Sequence, residues 1–352
     1  MNFYWNLLAE VQNLLYLWLM RLSRNNTKER INSSINFYNN RVCSIEPITK
    51  PKINKLKIFY DIFINPKKPH LIPNIKSDLN TKVYTDSLVW FGHSTYMLWI
   101  DDKTILIDPI LKSSASPFFF INTPFKGSDN FYPNDLPSID YLIITHNHYD
   151  HLSKKTIKNI KHKVKQALCP LGIGKYLSNW GINNILELDW NESIILEKDF
   201  EFRCLTSRHY SSRGIFDFNK TLWASFILIH KNKKIYFGGD SGYGKHFSDI
   251  GKKFTNIDFA ILENGQYSKN WPNSHLFPEQ TLQAAKDLNT STLMPVHNSK
   301  FKISYHDWNE PLSELYKIHT QNNYNFRLVT PMIGEIFPIW DNKYNFKQWW
   351  KI

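Results

Sequence analysis

Cysteine is scarce in this sequence. Cys43, Cys169 and Cys204 are scattered and odd in number, and no C-x-x-C pair occurs. That excludes a disulfide framework and a thiolate zinc knuckle, and it fits a reducing compartment. Acidic residues are outnumbered, 31 against 43 lysines and arginines, for a formal charge of +12. The lysines are dispersed and form no separate basic domain, so nucleic acid is not an expected partner. The one basic cluster is Arg21, Arg24, Lys28 and Arg30. No internal repeat at a solenoid period and no low-complexity tract is present. Nor is there a clean apolar run of spanning length. Residues 3–20, "FYWNLLAEVQNLLYLWLM", come closest, but Asn6, Glu10 and Asn13 interrupt them on one helical face. The spacing predicts an amphipathic helix over 3–24, either docked on the protein or lying in a membrane interface, with a true span ranked last. It lacks a basic start and a small-residue cleavage site, unlike a signal peptide. The expected location is cytoplasmic, with peripheral membrane contact through residues 3–24.

What is present is a globular composition, with 42% hydrophobic and 15% aromatic residues in 352. Residues 1–86 read as an N-terminal extension. Its polar, irregular part wraps the core and is broken by "NPKKPHLIPN". Residues 87–352 read as one domain. "LVWFGHSTYMLWI" and "TILIDPIL" read as strands joined by the "DDK" turn, and "YLIIT" as a buried strand. "FEFRCLTS", "TLWASFILI", "KIYFGGD", "FAILEN" and "TLMPVHN" are further strand-like runs. "SKKTIKNI" and "PEQTLQAAKDL" read as helices, the second opened by proline. Mixed elements over this length predict helices outside a layered sheet core.

The chemistry concentrates in "THNHYDHL", an H-x-H-x-D-H pattern over His146, His148, Asp150 and His151. A two-residue period points His146 and His148 the same way, towards one metal. Asp150 and His151 follow as the chain turns to a helix, and can serve a second. Further ligand-type residues end other apolar runs: His209, Asp240 and His297. Imidazole and carboxylate suit zinc, manganese or iron.

This ligand order resembles that of the metallo-β-lactamase superfamily. "GHSTYMLWIDDKTILIDPIL", "TSRHYSSRG", "GGDSGYGKHFSDIG", "PEQT" and "PVHNSKFKIS" resemble the branch holding N-acyl-phosphatidylethanolamine-hydrolysing phospholipase D and related bacterial hydrolases. Ascorbate-phosphate lactonases share part of the pattern. "TSRH" and "LENGQYSKNW" depart from the phospholipase on the substrate side. The resemblance implies an α/β fold, the four-layer αββα sandwich, over residues 87–352. It implies two divalent metal ions, zinc first with manganese or iron as alternatives. His146, His148 and His209 would hold one, Asp150, His151 and His297 the other, and Asp240 would bridge them. Such ions share a hydroxide available near neutral pH, which attacks phosphorus or a carbonyl carbon.

The resemblance makes Asp150, His275 and His93 the candidate catalytic residues, with His93 also a candidate hydrogen-bond partner to a ligand. Asp108 is a candidate to orient a ligating histidine, Arg213 to contact a substrate phosphate, and Tyr243 and Ser241 to line the pocket. The expected activity is phosphodiester hydrolysis, with a small-molecule or lipid phosphodiester as substrate. The alternatives are a lactonase, a carboxylic-ester or amide hydrolase, and a binding protein that retains the fold. The sequence sets no oligomeric state.

Overall fold

Along residues 87–100 the side chains alternate between two cores, and that alternation builds the architecture. In the computed structural model, which describes residues 27–49, 71–80, 86–197 and 199–351, helix α1 (Thr27–Ser33) precedes a short hairpin of β1 (Phe37–Tyr38) and β2 (Arg41–Val42). The first sheet contains β3 (Ser87–Trp90), β4 (Tyr96–Ile100), β5 (Lys103–Ile107), β6 (Ile139–Ile143), β7 (Val164–Pro170) and β8 (Ile185–Leu188). The second contains β9 (Ser193–Leu196), β10 (Phe200–Leu205), β11 (Ser225–His230), β12 (Lys233–Phe237), β13 (Phe259–Glu263), β14 (Thr292–Val296) and β15 (Arg327–Leu328). A last strand, β16 (Ile336–Pro338), returns to the β3 edge, giving the orders β16-β3-β4-β5-β6-β7-β8 and β15-β14-β13-β12-β11-β10-β9. Each sheet is part antiparallel and part parallel: β5 to β8 run parallel in one, β12 to β15 in the other.

Leu88, Trp90, Tyr96 and Leu98 join the core between the sheets, with Phe202, Phe226 and Leu228 from the facing sheet. Their neighbours Val89, Phe91, Met97 and Trp99 point outward. They pack against Ile157 and Ile160 of α2 (Lys154–Ile160) and Leu177 of α3 (Gly174–Asn179). The second sheet does the same with Ile227, Tyr236 and Ala260. These meet α4 (His246–Phe254), α5 (Pro278–Asp287) and α6 (Glu310–Gln321) through Phe247, Leu282 and Leu315. Strands apolar on both faces are required where helices cover both outer sides. The result is the αββα sandwich. Each large apolar side chain moved from water into these layers contributes about 1.5–3 kcal/mol.

Three local readings change. The stretch from Leu88 to Ile100 is two antiparallel strands, because Gly92 and His93 both adopt positive φ, 82° and 54°, and reverse the chain. Trp90 is fully buried, and its Nε1 donates to the His93 carbonyl at 2.8 Å, fixing that turn. Residues 221–224 are not strand. Instead the Leu222 amide donates to Leu171 and the Ala224 amide to Thr145, which ties the segment beneath the metal-ligand loop. The extension is not irregular throughout, since it contains α1 and the β1–β2 hairpin. Arg30 of α1 pairs with Glu192 at 2.8 Å, and Ile31, Val42 and Ile72 enter the inter-sheet core. The helix expected over 3–24 lies outside the described residues. Among those described, no helix is long and apolar enough to cross a membrane.

Candidate metal centre

The candidate ligands all leave the C-terminal ends of strands, on one edge where the parallel strands of both sheets finish. The loop after β6 carries His146, His148, Asp150 and His151, and the stretch after β12 carries Asp240. His209 follows β10, and His297 immediately follows β14. Gly239 lets Asp240 approach the β6 loop. It has φ 59°, and a Cβ there would stand 2.9 Å from the Ala224 carbonyl oxygen and 3.0 Å from the Thr145 Cβ.

These seven side chains come together. His148 Nδ1 lies 2.9 Å from His146 Nε2 and 3.2 Å from His209 Nε2. Asp240 Oδ2 is 3.7 Å from the His146 and His209 nitrogens. The other Asp240 oxygen, Oδ1, faces the second group, 3.1 Å from His151 Nε2 and 3.3 Å from His297 Nδ1. Asp150 Oδ2 stands 3.6 Å from His151 Nε2 and 4.0 Å from His297 Nε2. One carboxylate thus reaches both groups, an oxygen to each.

The donors fit a metal pair. Both Asp240 oxygens, His151 Nε2 and His297 Nε2 are buried without a hydrogen-bond partner. Each such atom left unmatched costs about 1–3 kcal/mol. Facing ring nitrogens have no proton arrangement that satisfies them all, but a shared cation does. Tetrahedral zinc at about 2.0–2.1 Å places neighbouring nitrogens about 3.3 Å apart, close to the 2.9 and 3.2 Å found. The set is all nitrogen and oxygen, which manganese and iron also accept.

The surrounding charges keep six of the seven donors in ligating form; the seventh, His151, is raised against burial by Asp240, Asp150 and Asp108, and holds a proton that a cation would displace. Burial, together with neighbouring imidazoles, pushes His146, His209 and His297 well below the usual histidine value, and burial takes His148 to about 4. All four therefore stay neutral with lone pairs exposed. Burial would raise Asp150 and Asp240, yet the charge of His151 and other nearby histidines overrides it. Asp240 is held down at about 2, and Asp150 is lowered as well.

Hydrogen bonds aim the rings. His151 Nδ1 donates to Asp108 Oδ2 at 2.7 Å, leaving Nε2 for the centre. Thr145 Oγ1 donates to the same oxygen at 2.6 Å and lies 3.0 Å from His146 Nδ1. The chain His146–Thr145–Asp108–His151 therefore links the two groups. His209 Nδ1 gives its proton to the Ser274 carbonyl at 3.1 Å. Exchanging Asp108 for asparagine removes the charge behind His151. Metal affinity or turnover should fall about 10–100-fold. A chelator-competition titration of the Asp108→Asn variant checks this, and wild-type affinity and rate together would refute it.

The family model described as a beta-lactamase superfamily domain matches residues 103–298, more than half of the chain. The chain belongs to the beta-lactamase superfamily. It is 37% identical to an uncharacterized protein of Mycobacterium tuberculosis over 64% of this chain and 62% of that one. The match thus spans under two thirds of that relative. Two enzymes named as N-acyl-phosphatidylethanolamine-hydrolyzing phospholipase D are each 30% identical. The one from Caenorhabditis elegans covers 59% of this chain and 62% of its own. The mitochondrial one from Saccharomyces cerevisiae covers 70% and 54%. The fold is shared with a metallo hydrolase from the archaeon Ignicoccus hospitalis, at TM-score 0.57, 20% identity, and coverage of 75% of this chain and all of that one. An isothiocyanate hydrolase from Delia radicum gut bacteria gives 0.58 and 20%, over 71% and 98%.

In this superfamily member the other candidate residues divide. His93 lies in the centre itself. Its Nε2 is 2.9 Å from Asp150 Oδ2, and it groups with Asp150, His151 and His297 as a potential metal-holding set. His275 faces the centre, with Nδ1 3.9 Å from Asp240 Oδ2. Arg213 lies over the Tyr149 ring at 3.9 Å and donates to the Asn147 carbonyl at 2.9 Å, so it holds the ligand loop as well as lining the adjoining pocket. Tyr243 does not turn to the metals. Its hydroxyl donates to Asp287 of α5 at 2.6 Å, and its ring packs with the outer helices. Ser241 Oγ is taken by the Arg208 amide and the Gly242 carbonyl, both at 2.9 Å.

Sequence reasoning missed Glu263. It ends β13, is buried, and faces His275 Nδ1 at 2.6 Å while accepting from the Ser241 amide at 2.5 Å. Burial raises Glu263, and against burial the facing Glu263 carboxyl raises His275, so the pair holds a proton more tightly than either group would alone. The available signal was an acidic residue closing the fully apolar run "FAIL".

Proposed function

We propose that this protein is a binuclear metal-dependent hydrolase of phosphodiesters, with an N-acyl-phosphatidylethanolamine-like phospholipid as the substrate class. The observation that carries the binuclear reading is Asp240, whose two buried oxygens each face a different set of donors. His146, His148 and His209 would hold one ion, and Asp150, His151 and His297 the other, zinc by the nitrogen spacing. The phospholipid reading is supported by similarity to two enzymes that carry that activity in their names. Two such ions, when bound, supply hydroxide near neutral pH and neutralise charge on the substrate oxygens. The protein's own groups do the rest. Asp150, tied to His93, fixes the ligand loop. His275, hydrogen-bonded to Glu263, would offer a proton beside the reacting phosphate. As the P–O bond to the alcohol breaks, it gives its proton to the departing alkoxide. The buried, free thiols of Cys169 and Cys204 suit a cytoplasmic setting.

The test is a substrate panel on protein whose metal content has been measured. Bis-p-nitrophenyl phosphate and an N-acyl- or lyso-phospholipid are expected to turn over. Turnover of lactones or acyl esters with every phosphodiester inert would overturn the substrate class. Absence of bound transition metal, with no hydrolysis after zinc or manganese is added, would overturn the enzyme.

A further inference from the structure

Two loops beside the metal centre expose aromatic side chains that nothing described so far uses. Phe118, Phe119 and Phe120 lie between β5 and β6, with Phe119 85% exposed. Ile215 and Phe216 lie between β10 and β11, 90% and 91% exposed. With Phe218, these make six of the thirteen large apolar side chains exposed among the described residues. Five of the other seven fall at residues 35–45 and 71–75, away in sequence from these loops. Water-facing aromatic clusters of this kind mark interaction surfaces.

The loops belong to one surface. Phe119 from the first and Gly214 and Asp217 from the second line the same open pocket, of about 760 Å³. Tyr149, next in sequence to Asp150, also lines it. Another wall is α2, which presents Lys154, Lys155 and Lys158, all exposed. The second loop is also tied to the centre, as Tyr210 stacks on Phe218 at 5.8 Å and meets the His148 ring at 4.7 Å. Apolar rings flanked by unscreened lysines match a bilayer with anionic headgroups. The rings enter the boundary between headgroups and chains, and the lysines meet the negative surface. A protein partner would need an acidic, apolar counterpart, whereas an anionic bilayer offers both everywhere.

We infer that the Phe118–Phe120 loop, the Ile215–Phe216 loop and the lysines of α2 form a docking face for an anionic lipid surface, opening the pocket beside the metal centre towards the bilayer. This deepens the phospholipid reading above and rests on it for its purpose, but not for its test. Asp217 Oδ1 accepts from the Arg213 and Gly214 amides at 2.9 and 2.7 Å, so the second loop keeps its shape when its exposed tip is changed.

The experiment floats the full chain with vesicles of phosphatidylcholine alone, or of phosphatidylcholine and phosphatidylglycerol in equal parts. Wild type is expected on the mixed vesicles, with binding weakened by salt. The Phe118→Ser/Phe120→Ser/Ile215→Ser/Phe216→Ser variant should bind about tenfold or more weakly. Lys154→Glu/Lys155→Glu should lose the preference for phosphatidylglycerol. The serine variant should hydrolyse bis-p-nitrophenyl phosphate at the wild-type rate. Vesicle binding carried by residues 3–24 would survive all four serine substitutions, and that result overturns the proposal. So does a wild type that ignores vesicles but loses a dimer when the rings are removed. If the serine variant loses vesicles while every phosphodiester is inert in wild type, the docking face stands and the substrate reading falls.

Discussion

Replacing Asp240 with alanine should strip both metal ions from the protein together and lower kcat/KM by at least about 10⁴-fold, some 5.5 kcal/mol of barrier. The reason lies in the geometry of one carboxylate. Oδ2 completes the His146–His148–His209 group, and Oδ1 approaches His151 and His297. Neither group keeps its shared anion when that side chain is cut back, and two cations held close together repel without a negative charge between them. The fold itself should persist, because Asp240 belongs to none of the apolar clusters. Metal analysis by plasma emission, circular dichroism and turnover of a soluble phosphodiester separate the effects. A variant that loses one ion and keeps the other would show that the groups bind independently. A variant that keeps both ions and wild-type rate would remove Asp240 from the centre.

The second large effect concerns stability. Lys300 is completely buried, which is rare for lysine. Its ammonium donates to the carbonyls of Phe91 at 3.2 Å and Ile110 at 2.8 Å, and pairs with Asp129 at 3.1 Å. Those carbonyls belong to the segments that deliver His93 and Asp108, and Lys300 itself sits three residues after His297. One cation thus joins three stretches that meet at the metal centre. Cutting it to alanine leaves two buried carbonyls unmatched and an Asp129 carboxylate with only the Lys112 amide as partner among the described residues, and opens a cavity. The expected cost is about 3–5 kcal/mol. That corresponds to a fall in Tm on the order of 5–10 °C for a domain of this size. Pairing Lys300→Met with Asp129→Asn should recover part of the loss, since the second change removes the stranded charge. A single variant within about 1 °C of wild type, or a double variant that merely sums the two losses, would show that the ion pair does not hold the segments.

The strands and most of the centre were legible because they follow from short-range rules, whereas the four-layer arrangement followed from the resemblance. Leu88–Trp90 and Tyr96–Ile100 are apolar throughout, so they read as buried strands without showing which core each side chain enters. An apolar run ending in histidine or aspartate puts that residue at a sheet edge, and the structure brings His146, His148, Asp150, His151, His209, Asp240 and His297 together there. What was not legible depends on contacts far apart in the chain. The pairing of Glu263 with His275 needs β13 beside the loop before α5. Tyr243 is next to the right loop in sequence, but a carboxylate on α5 captures its hydroxyl. His93 was legible as a turn residue beside the centre through the resemblance, but the two consecutive positive φ angles that carry it to Asp150 were not. The aromatic loops look like ordinary apolar runs until their exposure is known.

Three residues at the centre, His93, Asp108 and His297, hold left-handed backbone, with φ of 54°, 42° and 66°. Few side chains accept that conformation. Asparagine, aspartate and histidine do so best after glycine, and β-branched residues do so worst. This narrows the paths by which the centre can drift. Each position is selected twice, once for what its side chain does at the centre and once for a backbone that most replacements would distort. A lineage that lost the metals would be expected to keep asparagine or glycine at these three places long after the remaining ligands had scattered. Fossil centres of this kind would then be recognisable by their turns.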